Sequence, residues 1–353
     1  MVSITREVKG KTGEGKELEL YTFKNKNGMT VTVTNMGAAI VNILAPDKNG
    51  KTADVVLGFD DLKQYVEYRT FYGATVGRHA NRIAGAAFTI NGETYHVTPT
   101  IKDIQLHGGP AGFDRKLWST SVVGGSEKKL MLTYFSPDLE EGFPGNLQVT
   151  LLYSLNDCNE FTLEYFARSD KDTVVNLTNH SFFNLGGHDS GKVLSHELWM
   201  DSDFYAPNYA NGIPTGEILA VEGTPFDFRK PKAIGRDIES GHPQLVACGG
   251  YDHNYVLKTK KGAFGKVAEV VHPESGRRMT VSTDQPGVQL YTGNFLNGAN
   301  PGKNGLSYNY REAFCLETQY FPNSTGYSHF TDAVLKADEL YHYTTVYGFD
   351  AVK

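Results

Sequence analysis

The sequence predicts an all-β protein, built as a large antiparallel β-sandwich with few short helices. Apolar and polar residues alternate along segments from one end of the chain to the other, and this period of two is typical of strands with one buried face. Clusters of Asn, Asp and Gly separate these segments, as hairpin turns do. The 38 glycines and 20 tyrosines in 353 residues suit many short strands joined by tight turns.

The alternation is clearest in three segments. Residues 29–34, 147–155 and 161–166 each place apolar side chains at every second position. Because successive side chains of a strand point to opposite faces, each of these segments buries one face and exposes the other. Turns are expected at the Asn-, Asp- and Gly-rich clusters 25–28, 47–50, 91–92 and 124–125.

Helical periodicity is scarce. Only residues 60–68 and 331–340 show it, so these are the two short helices we expect. No linker, composition shift or internal repeat divides the chain. We therefore expect a single domain over residues 1–353.

Composition and charge argue against some classes of function. Charged residues make up 21% and apolar residues 40% of the chain, and the net charge of −6 comes without a basic stripe, which argues against nucleic acid as a partner. The longest apolar stretch, residues 38–45, is too short to span a bilayer, so no membrane is expected. Residues 1–6 lack an apolar signal core, which favours the cytoplasm.

The three cysteines do not indicate a disulfide framework or a zinc site. Cys158, Cys248 and Cys315 are odd in number and far apart in the chain. Residues 10–17 nearly spell a phosphate-binding loop, but they lack the Ser or Thr that would bind magnesium, and a strand follows where a helix is required. We interpret this segment as a solvated turn.

Glu317 is the most informative single residue. It lies in residues 314–321, a strand pattern in which Phe314 and Leu316 share one face while Cys315 and Glu317 share the other. A carboxylate on a mostly buried strand is costly unless it is paired or used in chemistry. Both a structural and a catalytic role are open for Glu317 at this stage.

A second informative strand carries His180. Alternation along residues 173–185 places Val175 and Leu177 on one face of the strand. The opposite face carries Asn176, Thr178, His180 and Phe182. An apolar face toward the core and a polar, aromatic face opposite suit the wall of a polar cleft. A satisfied structural histidine is the competing interpretation.

Other segments supply groups that bind hydroxyl-rich ligands. His107 precedes two glycines, which allow a sharp turn and the close approach of a ligand. Asn81 and Arg82 lie in a segment bounded by glycines, and their amide and guanidinium groups suit hydroxyls. Asp252 follows paired glycines, and Gln289 shares a strand face with Tyr291; together these residues have the chemistry of a sugar site.

Taken together, these segments resemble the motifs of the aldose 1-epimerases, or galactose mutarotases. The resemblance covers roughly residues 20–345 in the order of the family, and it is carried by residues 81–82, 107–109, 178–185, 252–255, 285–295 and 316–323. It implies a β-sandwich of the galactose mutarotase type, a monosaccharide substrate and no cofactor or metal. We expect a monomer or a homodimer.

The resemblance also implies a role for each site residue. Glu317 would be the general base and His180 the general acid, while His107 would assist at the sugar ring. The hydroxyl-binding residues would be Arg82, Asp252 and Gln289, with Asn81 as a further candidate. An ionised Glu and a protonated His would open the ring of glucose or galactose at C1–O5 by general acid–base catalysis, and closure on the other face would give the other anomer.

Three alternatives remain open from the sequence. His107, His180 and Glu317 have ligand types that suit iron or zinc, although their spacing is not that of a local metal motif. Asp252 and Glu317 would serve as the two carboxylates of a glycoside hydrolase. A non-catalytic carbohydrate-binding protein would keep the amides and aromatic rings but would have no need of the acid–base pair.

Overall fold

The computed structural model of the protein describes residues 2–258 and 262–352. The first sheet contains β1 (Ser3–Lys11), β2 (Glu17–Lys24), β3 (Thr30–Thr34), β4 (Ile40–Pro46) and β5 (Thr52–Asp54). Short strands follow: β6 (Ala74–Val76), β7 (Arg82–Ile83), β8 (Ala87–Ile90), β9 (Glu93–His96) and β10 (Gln105–Leu106).

The middle and the end of the described chain continue as strands. They are β11 (Ser119–Val123), β12 (Lys129–Ser136), β13 (Leu147–Leu155), β14 (Glu160–Ser169), β15 (Thr173–Val174), β16 (Thr178–His180), β17 (Glu197–Met200), β18 (Ser202–Ala206), β19 (Leu219–Ala220), β20 (Lys232–Ala233), β21 (Asp252–Leu257), β22 (Gly265–Val271), β23 (Arg277–Thr283), β24 (Gly287–Tyr291), β25 (Cys315–Gln319), β26 (Val334–Leu335) and β27 (Tyr341–Ala351).

Three antiparallel sheets contain most of these strands. The first has the order β1-β2-β3-β4-β5, and the second has nine strands in the order β11-β12-β13-β14-β27-β23-β22-β17-β20. The third, β19-β18-β21-β24-β25, carries the groups on which the site depends. Neighbouring strands pair antiparallel in all three, as in the ladders β13–β14 and β24–β25.

The three sheets share one apolar core. Phe23 comes from the first sheet, Leu151 and Leu163 from the second, and Leu290 and Leu316 from the third, and all five lie in the same buried cluster. In β13, buried residues alternate with more exposed ones along the whole strand, as the period of two predicts. The expectation of an antiparallel β-sandwich is confirmed.

The predicted turns are confirmed where they join paired strands. Asn91 and Gly92 connect β8 and β9, and both have positive φ, at 54° and 84°, as a two-residue hairpin turn requires. The segment that resembles a phosphate-binding loop joins β1 to β2 as a turn, in which the Lys16 N–H donates to Thr12 Oγ1 at 3.3 Å.

The helix predictions are half right. Helix α1 (Leu62–Glu67) forms within residues 60–68, and the Asp61 side chain caps its N-terminus. Residues 331–340 are not helical: Val334 and Leu335 form β26, which pairs with β15. A short isolated helix is marginal, and pairing with β15 satisfies the same backbone groups while burying Leu335.

Sequence reasoning missed helix α2 (Pro243–Cys248). The described 3₁₀ turns are Ala84–Ala86, Phe113–Arg115, Glu140–Gly142, Val193–Ser195, Ile234–Arg236, Lys303–Gly305 and Ser324–Gly326. Among the described residues, no helix has both the length and the apolar character needed to cross a membrane.

The third sheet has one apolar face and one polar face. Leu290 and Leu316 point into the core, whereas Asn254, Gln289 and Glu317 are cross-strand neighbours on the opposite face. This separation follows from strand alternation, because a register shift of one residue would exchange the two faces. The polar face becomes the floor of the site.

A buried ion pair attaches the segment after β24 to the first sheet. Lys303 Nζ lies 2.6 Å from Asp54 Oδ2 and donates to the Val56 carbonyl oxygen at 2.8 Å. The Lys303 side chain is only 2% exposed. Asp54 also accepts from the Ile43 N–H and from Asn42 Nδ2, so the carboxylate is surrounded by donors.

Removing the lysine charge should destabilise the fold. Lys303→Met keeps most of the apolar stem but leaves Asp54 as a buried carboxylate without its cation, so we expect the free energy of unfolding to fall by about 3 kcal/mol. The measurement is equilibrium unfolding in urea. Lys9→Met is the control, because Lys9 pairs with Glu7 at the surface and is 44% exposed; its effect should stay within about 0.5 kcal/mol. Equal effects would contradict the prediction.

Candidate active site

A cleft of about 380 Å³ opens above the polar face of the third sheet. Its volume lies in the range of small-molecule sites, about 300–1,000 Å³. Strands β16, β21, β24 and β25 contribute to it, together with the loops after α1 and after β24. Six of the residues predicted from sequence line this cleft together: Asn81, Arg82, His107, His180, Asp252 and Glu317.

Glu317 lies in the middle of β25 and is almost completely buried. One carboxylate oxygen, Oε1, is 3.6 Å from His180 Nε2. The other, Oε2, has no hydrogen-bond partner within the protein. Burial raises the pKa of Glu317 well above its ordinary value; the negative charge of Asp252 raises it further, and Arg82 opposes the shift.

His180 is the last residue of β16, a strand that pairs with β6. Its imidazole lies between the rings of Phe71 and Phe182, whose centroids are 5.7 and 4.9 Å away at interplanar angles of 20° and 22°. Its Nδ1 is 3.6 Å from Cys315 Sγ. These contacts fix the plane of the ring and leave Nε2 directed at Glu317.

Burial also changes the acidity of His180. It lowers the pKa of the imidazole from 6.5 to about 4, against the opposing effect of the residue's own backbone carbonyl. Both shifts favour the uncharged forms, a protonated Glu317 beside a neutral His180, and in that state the pair carries one proton. A single proton shared by an acid and a base 3.6 Å apart is an arrangement that can transfer protons to and from a ligand.

His107 is fixed as a neutral hydrogen-bond donor. Its Nδ1 accepts from the Asn81 backbone N–H at 3.1 Å, and the His107 backbone N–H donates to the Asn81 carbonyl oxygen at 3.0 Å. With Nδ1 acting as an acceptor, the ring proton is on Nε2. Burial, followed by the nearby charges of His180 and Arg82, lowers the pKa of His107 well below its ordinary value.

Gly108 allows this close approach of the two segments. A Cβ there would lie 1.8 Å from the Gly77 carbonyl oxygen, and its φ of 79° is one that glycine adopts readily. The expectation that the glycines after His107 permit a tight turn is confirmed.

The donor arrangement does not suit a metal ion. The ligand atoms of His107, His180 and Glu317 lie within 4.8 Å of one another. A histidine that binds a metal through Nε2 normally donates its other N–H, but Nδ1 of His107 accepts from the Asn81 N–H. The cluster therefore fits an acid–base pair with a neutral donor better than an iron or zinc centre.

Arg82 and Asp252 form the polar end of the cleft. Arg82 lies 3.8 Å from Asp252 Oδ2, and Oδ1 of the same carboxylate accepts from Gln289 Nε2 at 2.7 Å. Asn81 Oδ1 accepts from the Arg82 N–H at 3.0 Å. Gln289 does not line the cleft: it is buried behind Asp252 and orients that carboxylate.

Several cleft residues were missed by sequence reasoning. Arg69 stacks over Phe71 at 4.7 Å and donates to Asp114 and to the Gly109 carbonyl. Phe295, 67% exposed, lies at the rim and stacks on Tyr291 with centroids 6.0 Å apart. The sequence around Arg69 and Phe71 has no motif, and only the folded chain brings this loop next to His180.

The chain matches the family model for aldose 1-epimerase over residues 19–348. It is 40% identical over 350 residues to galactose mutarotase from Homo sapiens, with 99% of each chain covered. It is 35% identical over 340 residues to aldose 1-epimerase from Escherichia coli, with 96% of this chain and 97% of the relative covered.

Solved structures agree with these sequence relatives. A galactose 1-epimerase from Lactobacillus acidophilus superposes with a TM-score of 0.88 at 28% identity, with both chains fully covered. An aldose epimerase homologue from C. elegans gives a TM-score of 0.85 at 31% identity, covering 93% of this chain and 98% of the other. The match to named epimerases over nearly the whole chain favours an isomerase over a non-catalytic sugar-binding protein or a glycoside hydrolase. The protein is therefore an enzyme of the aldose 1-epimerase family.

Proposed function

We propose that the protein interconverts the α and β anomers of free aldohexoses such as glucose and galactose, with Glu317 as general base and His180 as general acid. The observation that carries the proposal is the Glu317–His180 pair, 3.6 Å apart and buried in a polar cleft. The two pKa shifts, upward for Glu317 and downward for His180, both favour the uncharged forms, in which the pair carries one proton.

Hydroxyl recognition falls to the polar end of the cleft. Asp252 is an acceptor held by Gln289, and Arg82 is a donor beside it. Groups of this kind, fixed before the sugar arrives, discriminate hydroxyl positions through directional hydrogen bonds. His107 adds an N–H donor at Nε2 near the pair.

Ring opening requires two proton transfers, one to Glu317 and one from His180. In the reactive form Glu317 is a carboxylate and His180 an imidazolium. Glu317 takes the proton from the C1 hydroxyl as the C1–O5 bond breaks, and His180 gives its proton to O5. This leaves a protonated Glu317, a neutral His180 and an open-chain aldehyde.

Closure reverses the transfers on the other face of the carbonyl. After rotation about C1–C2, His180 takes the proton from the O5 hydroxyl as O5 attacks C1, and Glu317 gives its proton to the carbonyl oxygen. The pair returns to its starting state without net uptake or release of protons. Both intermediate charge states carry one proton, which is the number that the pKa directions support.

The first prediction concerns the base. Glu317→Gln keeps the shape of the side chain but cannot accept the C1 proton, so kcat should fall about 10²- to 10⁴-fold while sugar binding persists. The assay follows the optical rotation of freshly dissolved α-D-glucose and α-D-galactose, with the uncatalysed rate subtracted. Glu197→Gln, an exposed carboxylate on β17, is the control and should keep full activity. A Glu317→Gln enzyme of parental rate would exclude Glu317 as the base.

A second prediction separates the two histidines. His180→Asn should lower kcat about 10²-fold or more, because it removes the group that protonates O5. His107→Asn should act mainly on KM, raising it about tenfold, because His107 contributes one hydrogen bond as a neutral donor. Both variants are assayed by polarimetry across sugar concentration. The reverse pattern would assign the acid to His107.

A third prediction concerns pH. When pH falls through the lowered pKa of His180, about 4, the pair takes up a second proton and loses its base. When pH rises through the raised pKa of Glu317, the pair loses its only proton and has no acid. Activity should therefore fall below about pH 5, on the acid limb set by His180, and the basic limb should lie above the ordinary pKa range of a carboxyl group, because the pKa of Glu317 is raised. An acid limb in kcat/KM centred near pH 6.5, the ordinary histidine value, would contradict the shared-proton scheme.

A further inference from the structure

The polar face that carries Glu317 extends inward beyond the cleft. In the ladder of the third sheet, Gln289 pairs with Asn254 on one side and with Glu317 on the other. Gln319 lies two residues further along β25, on the same face. These side chains are buried, and Gln319 has an exposed fraction of 0%.

Thr178 lies on β16, the strand that packs next to β25. His180 contacts Cys315 and Glu317, while the Tyr320 N–H donates to Asn176 Oδ1 at 2.9 Å. Strands β16 and β25 therefore run side by side, which brings Thr178 level with Gln319. Thr178 has the same parity on β16 as His180, so its hydroxyl points to the same side.

Unpartnered polar atoms concentrate at this point. Gln319 Nε2 and Oε1, Thr178 Oγ1, Asn254 Oδ1, Gln289 Oε1 and Glu317 Oε2 are all buried with no hydrogen-bond partner in the protein. They are six of the fourteen such atoms in the described part of the chain. Since buried polar groups are almost always paired with protein or with ordered water, a group of this size indicates bound water.

The absence of a side chain at Gly287 leaves room for the amide of Asn254. Gly287 is the cross-strand neighbour of Gln319, and a Cβ at Gly287 would lie 2.9 Å from both the oxygen and the nitrogen of the Asn254 amide. The amide of Asn254 therefore lies over Gly287, next to Gln319. A larger residue at position 287 would fill the polar region with apolar atoms.

We propose that this cluster binds ordered water that links Gln319 and Thr178 to Glu317 Oε2, and that Gln319 is thereby a positioning residue for the base. The proposal rests on the role of Glu317 given above. Oε1 faces His180, so Oε2 needs its own donors when the carboxylate is ionised. A water molecule that accepts from Gln319 Nε2 and donates to Glu317 Oε2 supplies one, with Thr178 and Asn254 as its other partners.

As a consequence, the interior cluster stabilises Oε2 of the carboxylate, and the side of Glu317 that faces the cleft remains available to the sugar. A direct charged partner for Oε2 would favour the ionised state so strongly that Glu317 would lose its affinity for a proton. Neutral donors acting through water stabilise the carboxylate less, which suits a group that must gain and release a proton in each turnover. The amides, because they bond to water and not to the sugar, should affect kcat and not KM.

Two substitutions and a matched control test the proposal. Gln319→Leu removes both amide atoms, and Thr178→Val replaces one hydroxyl with a methyl group of similar size. Tyr165→Phe is the control, because it also removes a buried hydroxyl that has no protein partner but lies on β14 in the core of the sandwich. Kinetics are measured by polarimetry with α-D-glucose, and folding by thermal unfolding.

We expect kcat to fall about tenfold in Gln319→Leu and about threefold in Thr178→Val, since each loses hydrogen bonding to a charged group. KM should stay within about twofold, and Tyr165→Phe should keep the parental kcat. Unchanged kcat in both test variants, or an equal loss in Tyr165→Phe, would overturn the proposal. A rate that depends on added sodium or potassium would also overturn it, because the oxygens would then hold a cation.

These variants distinguish a failure of the water-mediated support from a failure of the proposed function. If Glu317→Gln is inactive while Gln319→Leu and Thr178→Val have the parental kcat, Glu317 remains the base and only the water-mediated support is wrong. If Glu317→Gln is fully active, the proposed function itself fails, whatever the other variants do.

Discussion

The structure of the site depends on the burial of one carboxyl–imidazole pair away from bulk solvent. Burial acts in opposite directions on Glu317 and His180, because it disfavours the charged form of each. In water the pair would exist as carboxylate and partly protonated imidazole, both solvated. In the cleft the two groups compete for one proton at a separation of 3.6 Å. In the mechanism we propose, a proton moves between them by way of a sugar.

The alternation of side chains along the strands of the third sheet creates this buried polar environment. Strand alternation in β24 and β25 gives Leu290 and Leu316 to the core and Gln289 and Glu317 to the opposite face. The same sheet that stabilises the fold thus holds Glu317 rigidly, and β16 brings His180 against it. Sites on strands are held more precisely than sites on loops, which suits the acid–base roles proposed for this pair.

The polar groups around the Glu317–His180 pair are also fixed in position. Asp252 is held by Gln289, His107 is held by Asn81, and His180 lies between two phenyl rings, so each is fixed before a ligand enters. Preorganised dipoles of this kind need no reorganisation when charge develops. Anomer interconversion proceeds slowly without a catalyst, and acid–base catalysis with good positioning supplies the acceleration it needs.

The sequence by itself determined the strand faces, and with them much of the core and the polar face that carries Glu317. A period of two assigns Leu316 and Glu317 to opposite faces whatever the fold, and the motifs around Asn81, His107 and Asp252 identified the family. The helix predicted for residues 331–340 was wrong, because pairing of β26 with β15 outweighed a weak helical pattern. What only the tertiary structure decided are contacts between distant segments: Phe71 against His180, Gln289 behind Asp252, and Asn176 against Tyr320. Each depends on which strands become neighbours, and burial and pKa follow from that packing and not from any local pattern.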